Sequence, residues 1–173
     1  MNKFLSMLAI LLPVADSASA ATTNGAMTVK AQITSSCVIN TSATGGSMGN
    51  TTLDFGSLSS LATDANASTA ASGNGAVNVL CNKGTAWNLT FDGGANAASG
   101  QRQMIGGAAG TDVLPYNLYS DAGYKNKIDT STVLSGTGTG QVQATQVFGK
   151  IPAGTVLPSV GSYVDTVVLT VNY

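Results

Sequence analysis

The chain of 173 residues has no histidine, and its eight acidic residues are all aspartate. Without imidazole, the usual proton shuttle at neutral pH and the Ser–His and Cys–His nucleophile pairs are excluded. His-based metal sites go with them. Charged residues make up only 9% of the chain, and the formal net charge is −1. With no basic run, this argues against nucleic acid or an anionic membrane surface as partner. Glutamate is absent and lysine is rare, so long helix formers are scarce, while Ala, Gly, Ser, Thr and Asn dominate. The composition favours strands and turns over helices, and an all-β fold is expected. The longest apolar run, residues 4–14, is too short to cross a bilayer, so no membrane insertion is expected.

That apolar run has another use. Lys3 precedes it and Ala18-Ser19-Ala20 follows, the charge, core and small-residue cleavage site of a secretory signal. Residues 1–20 are expected to be removed, leaving Ala21 at the new N-terminus of a protein exported through the periplasm. What remains suits one domain with a real core. The two cysteines, Cys37 and Cys81, then meet an oxidising compartment, and their even number predicts one disulfide. Closing that loop restricts the unfolded chain by roughly 4 kcal/mol in the entropy account.

Both ends of the exported chain alternate. In residues 163–173, Tyr163, Val167, Leu169, Val171 and Tyr173 share one side, while Val164, Thr166, Val168, Thr170 and Asn172 share the other. This period of two marks a strand with one buried face. In residues 25–33, Met27, Val29, Ala31 and Ile33 alternate with Thr28, Lys30 and Gln32, so a second amphipathic strand is expected there. Its partner is either its own domain or a neighbouring molecule.

Between the ends, strands are expected at 51–55, 76–82, 86–92, 114–120 and 141–151, with Trp87, Leu89 and Phe91 inward. Pro115 places the start of its strand at an edge or bulge. Residues 41–50 and 57–74 read as turn and loop, with room for one short strand in the second. About seven or eight short strands with Gly- and Asn-rich connections make an antiparallel sandwich.

Motifs for chemistry are missing. Gly45-Gly46-Ser47-Met48-Gly49 spells a nucleophile elbow, but no histidine exists to take the serine proton, so it reads as a turn. Most of the aspartates lie beside Gly, Ala or Asn in turns, without the dense spacing of a calcium loop. No catalytic, cofactor-binding or metal-ligating residue is assigned, and the protein is not expected to be an enzyme.

In order along the chain stand M-T-V-K-A-Q-I-T-S-S-C ending at Cys37, Leu53-Asp54-Phe55-Gly56, the strand to Cys81 followed by Trp87, V-L-P-Y-N-L-Y-S-D ending at Asp121, Val147-Phe148-Gly149-Lys150-Ile151-Pro152, and G-S-Y-V-D-T-V-V-L-T-V-N-Y ending at Tyr173. Together these resemble the spore coat protein U (SCPU) domain family, in particular the Csu-type major pilins of the archaic chaperone-usher pathway. One departure is the Gly/Thr-rich stretch 124–140, which lacks a Trp-Gly segment found in many relatives. The resemblance implies an immunoglobulin-like sandwich that lacks its last strand. A periplasmic chaperone fills the gap first, and the N-terminal strand of the next subunit then replaces it. On this chain the donor would be residues 21–35, carrying Met27, Val29, Ala31 and Ile33. The acceptor domain would be residues 36–173, with Tyr163, Val167, Leu169, Val171 and Tyr173 on the strand beside the gap. The implied function is a structural pilus subunit, exported by chaperone and outer-membrane usher to the surface of a Gram-negative bacterium, serving adhesion and biofilm formation. Alternatives are a secreted coat or matrix protein and a free carbohydrate-binding sandwich.

Overall fold

The computed structural model describes residues 21–40 and 49–173. The expected export signal at 1–20 and the turn at 41–48 lie outside the described residues. The chain divides into two units, residues 1–33 and 34–173. In the first, residues 21–33 are exposed throughout and form no strand, with Met27, Val29 and Ile33 at 86%, 79% and 83% exposure. The amphipathic strand expected at 25–33 is therefore not formed in the single chain. A strand takes its hydrogen bonds from a neighbour, and its sequence alone supplies none.

Among its described residues the second unit holds twelve strands: β1 (Cys37–Ile39), β2 (Ala65–Ser68), β3 (Val77–Cys81), β4 (Ala86–Phe91), β5 (Arg102–Gly106), β6 (Asp112–Tyr119), β7 (Lys127–Ile128), β8 (Val133–Thr137), β9 (Val142–Thr145), β10 (Phe148–Ile151), β11 (Tyr163–Val164) and β12 (Leu169–Asn172). All pairs are antiparallel. Among the described residues the only helix is a 3-10 turn, Gly73–Gly75. The strands form three ladders: β1-β3-β9, β12-β4-β8, and β11-β5-β6-β10-β2 with β7 beside β6. Their inward residues meet in one core built on Val77 and Val79 of β3, Trp87, Leu89 and Phe91 of β4, Leu114, Tyr116 and Leu118 of β6, and Ile151 of β10. Alternation puts these side chains on one face of each strand.

Cys37 and Cys81 are register partners in β1 and β3 and form the disulfide, with Cα atoms 4.1 Å apart. Trp87 determines its neighbour. It faces Gly136 of β8, where a Cβ would lie 2.4 Å from the indole Cζ2. The Gly/Thr-rich stretch 124–140 thus contains two strands, β7 and β8, and Gly136 makes room for the tryptophan.

Two expected strands are each broken in two. The run 141–151 becomes β9 and β10, which lie in different ladders. At the crossing, the Val147 backbone N–H donates to Thr69 Oγ1 (2.9 Å), the Thr69 N–H donates to the Val147 carbonyl (2.8 Å), and Val147 is buried. The run 163–173 likewise becomes β11 on β5 and β12 on β4. Residues 51–55 join no ladder, although their burial alternates. Pro115 sits in β6, an inner strand, but β10 pairs only with residues 117–119 of it, so that flank is open beside the proline. The strand β5 was not foreseen, because its inward residues include Arg102, which is 4% exposed.

Candidate functional site: an open groove beside the C-terminal edge

Residues 162–172 form one extended edge in spite of the break. On one flank, Gly107 N–H donates to the Ser162 carbonyl (3.3 Å), Ala95 N–H to the Thr166 carbonyl (3.0 Å) and Asp92 N–H to the Val168 carbonyl (3.0 Å). The Val168 N–H in turn donates to Asp92 Oδ1 (2.9 Å). The even-numbered residues therefore spend their backbone groups on their own domain. In a strand, successive residues point these groups in opposite directions. Tyr163, Asp165, Val167, Leu169 and Val171 consequently aim their N–H and C=O at the other flank, where β11 and β12 are both the end strands of their ladders. No strand among the described residues pairs there.

The same odd residues are half-buried, whereas Val164 and Val168 are 66% and 56% exposed. Tyr163, Val167 and Leu169 line a groove of about 310 Å³ together with Asp165. Its floor is Phe91, Met104, Tyr116 and Leu118, and its far wall is Leu53 and Phe55. It runs on into a second compartment of about 630 Å³ between residues 53–61 and 157–163. Leu53, Phe55, Met104 and Tyr163 belong to both, so the two compartments are one trough. Of the acceptor residues expected from sequence, Val171 packs on the core without lining the trough, and Tyr173 is 63% exposed. Leu53, Phe55, Met104 and Tyr116 were not named as site residues. The alternation of Leu53 and Phe55 was the available signal, yet alternation does not say which side of a gap a segment covers.

Among the edge residues that line the groove, Asp165 is the one charged step. Tyr116 donates its hydroxyl proton to Asp165 Oδ2 (2.7 Å), while Asp165 Oδ1 accepts from the Asn96 N–H and Nδ2 (both 3.1 Å). Burial, with the Asp165 bond adding to it, pushes the Tyr116 phenol well above its ordinary range. Gly94 lies directly behind: a Cβ there would fall 2.1 Å from Asp165 Oδ2. Beneath, Arg102 donates from Nε to the Asp92 carbonyl (3.1 Å) and from Nη1 to the Ile128 carbonyl. Desolvation lowers its pKa, opposed by the neighbouring Tyr116 and aspartates.

A sequence model of the Spore Coat Protein U domain matches residues 23–170. The chain belongs to that family. A curated member of similar sequence is Protein U of Myxococcus xanthus, 31% identical over 165 residues, spanning 90% of this chain and 88% of that one. Among solved structures, the CsuC-CsuE chaperone-tip adhesion subunit pre-assembly complex from archaic chaperone-usher Csu pili of Acinetobacter baumannii matches with a TM-score of 0.54 at 17% identity. That match covers 82% of this chain and 40% of the other, so the chain spans less than half the length of that neighbour. The fold of this Spore Coat Protein U domain is accordingly an immunoglobulin-like antiparallel sandwich. Among the described residues no cluster of three metal-ligating side chains is present and no helix is long and apolar enough to cross a membrane.

Proposed function

We propose that this chain is a non-enzymatic structural subunit of a chaperone-usher surface fibre, assembled by strand addition between subunits. The observation that carries the reading is the open edge of five backbone positions, four of them bordering a largely apolar trough, in a chain whose residues 25–33 alternate and stand exposed without a partner. An extended peptide added to such an edge gains ladder hydrogen bonds, and its alternate side chains fill the pockets. Left open, the edge would template aggregation, which gives a periplasmic chaperone its task before assembly. Residues 1–20 direct export, and an outer-membrane usher passes subunits to the fibre at the cell surface. Adhesion and biofilm formation follow from a fibre in that position.

In this reading Met27, Val29 and Ile33 of one subunit enter the trough of the next. Burying them contributes on the order of 5 to 8 kcal/mol. Ordering the segment costs a comparable amount, so much of the fibre's strength comes from completing the acceptor's core. A coat or matrix assembly using the same trough is a second reading, favoured by the family's name, and cellular location separates the two.

The test uses Val29→Asp and a synthetic peptide of residues 22–35. The variant should fold with the chaperone yet fail to polymerise, because it would bury a charge in an apolar trough. The peptide should cap unaltered subunits as monomers, and purified polymer should run as a denaturant-resistant ladder that collapses on boiling. A Val29→Asp subunit that cannot fold at all, with a peptide that has no effect, would return residues 25–33 to their own domain.

A further inference from the structure

Strand addition has a register problem, since any two-residue slip keeps an alternating donor's apolar face inward. We propose that the Tyr116–Asp165 pair is the register mark of the groove and that Ala31 of a second copy is the residue that reads it. The inference rests on the strand-addition reading above.

The odd residues of the edge point both their side chains into the groove and their backbone groups at the newcomer, so each meets one donor residue directly opposite. Asp165 stands among Tyr163, Val167 and Leu169 as the one carboxylate. It cannot retreat, because Gly94 closes the space behind it and Asn96 and Tyr116 hold both oxygens. A bulky apolar side chain set against it would strip water from its carboxyl oxygens without replacing a hydrogen bond. Between residues 27 and 33 the donor face offers three bulky residues, Met27, Val29 and Ile33, and one small one, Ala31. Slipping the donor by two residues in either direction puts Ile33 or Val29 on the carboxylate. Only Ala31 leaves it room.

This placement also selects the direction. Run antiparallel with Ala31 at Asp165, the donor puts Ile33 at Tyr163, Val29 at Val167 and Met27 at Leu169, all on the open edge. Run parallel, it puts Met27 at Gly161, outside β11, which begins at Tyr163. The antiparallel arrangement uses every donor side chain.

The experiment is a cross-linking comparison in the full exported chain. Opposed residues of a hydrogen-bonded pair have Cα atoms about 5.5 Å apart, within disulfide reach. Three double variants are assembled and run without reductant: Val29→Cys with Val167→Cys, with Leu169→Cys, and with Tyr163→Cys. Expected is a covalent ladder from the Val167 pair alone. A ladder from the Leu169 or Tyr163 pair in its place overturns the register. No ladder from any of the three, with all folded, overturns the register as well, and strand addition itself falls if the 22–35 peptide also fails to cap unaltered subunits. Ala31→Leu added to the Val167 pair should lose the ladder, and Ala31→Gly should keep it. Residue 31 lies in the exposed segment, so neither change touches the subunit's core. A ladder that survives Ala31→Leu shows that Ala31 does not read the step.

Discussion

Leu53 rests on Gly149. A Cβ at Gly149, in the middle of β10, would stand 2.7 Å from Leu53 Cδ2 and 2.9 Å from Phe55 Cζ. The missing side chain lets residues 51–55, which have no ladder of their own, lie over the sheet as the far wall of the groove. Phe55 continues the wall by meeting Tyr116 edge-on, with ring centroids 6.4 Å apart. Two segments nearly a hundred residues apart in sequence thus define the trough's width by close contact.

Gly149→Val should push Leu53 and Phe55 off β10. Forcing extra methyl groups into a packed site costs about 1–3 kcal/mol, so the Tm should fall. Capture of the 22–35 peptide should weaken as well. A variant with unchanged Tm and unchanged peptide affinity would mean that residues 51–55 do not form the wall.

Arg102→Met should destabilise the domain by about 2–5 kcal/mol, because the carbonyls of Asp92 and Ile128 lose a buried donor. The Ile128 carbonyl ends β7 and the Asp92 carbonyl directly follows β4, and Asp92 also holds Val168 at the break of the C-terminal edge. Urea unfolding measures the loss. A midpoint equal to that of the unaltered protein would contradict this role.

Asp129 gives a pH signature. The hydroxyl and backbone N–H of Ser131, with Thr132, hold its carboxyl down at about 2, below the roughly 3.9 of an unfolded aspartate. The unfolded chain therefore binds this proton first as the pH drops. The stabilisation is present above about pH 4 and is lost as the pH falls toward 2. Asp64, Asp112 and Asp121 are shifted in the same direction. Asp129→Asn should flatten, without abolishing, the acid-side slope of stability. Identical slopes in denaturant midpoints between pH 5 and pH 2 would refute the assignment.

Leu169→Asp should abolish peptide capture while Leu169→Val retains most of it, because Leu169 lines the groove and faces Phe91 across the ladder. The charge would stand in an apolar trough with no partner. Isothermal titration with the 22–35 peptide reads the difference, and equal binding by the two variants would place the docking site elsewhere.

Much of this molecule was legible in its residues because period-2 alternation is a local property. Trp87, Leu89 and Phe91 are buried as their spacing implies, Leu114, Tyr116 and Leu118 likewise, and Cys37 meets Cys81. The turn after β4 forms as its Asp92-Gly93-Gly94 sequence suggests, with the Gly94 N–H donating to Asp92 Oδ1 at 2.8 Å. The unforeseen strand β5 hid behind Arg102, a buried cation whose acceptors are carbonyls from two distant strands. No sequence pattern announces such a partner set.

By itself the sequence determined which faces are apolar, where the chain turns and which residues alternate at its two ends, since each depends on neighbours within a few positions. Only the tertiary structure decided that residues 141–151 and 163–173 each cross between ladders, that Gly149 seats the far wall, and that Asp165 sets a carboxylate among Tyr163, Val167 and Leu169 on the groove's edge. The reason is physical. Alternation says which way side chains point, but the backbone groups of a strand lie in the plane of the sheet, at right angles to them. Whether that plane continues into a neighbour or ends in an open edge is set by segments far away along the chain.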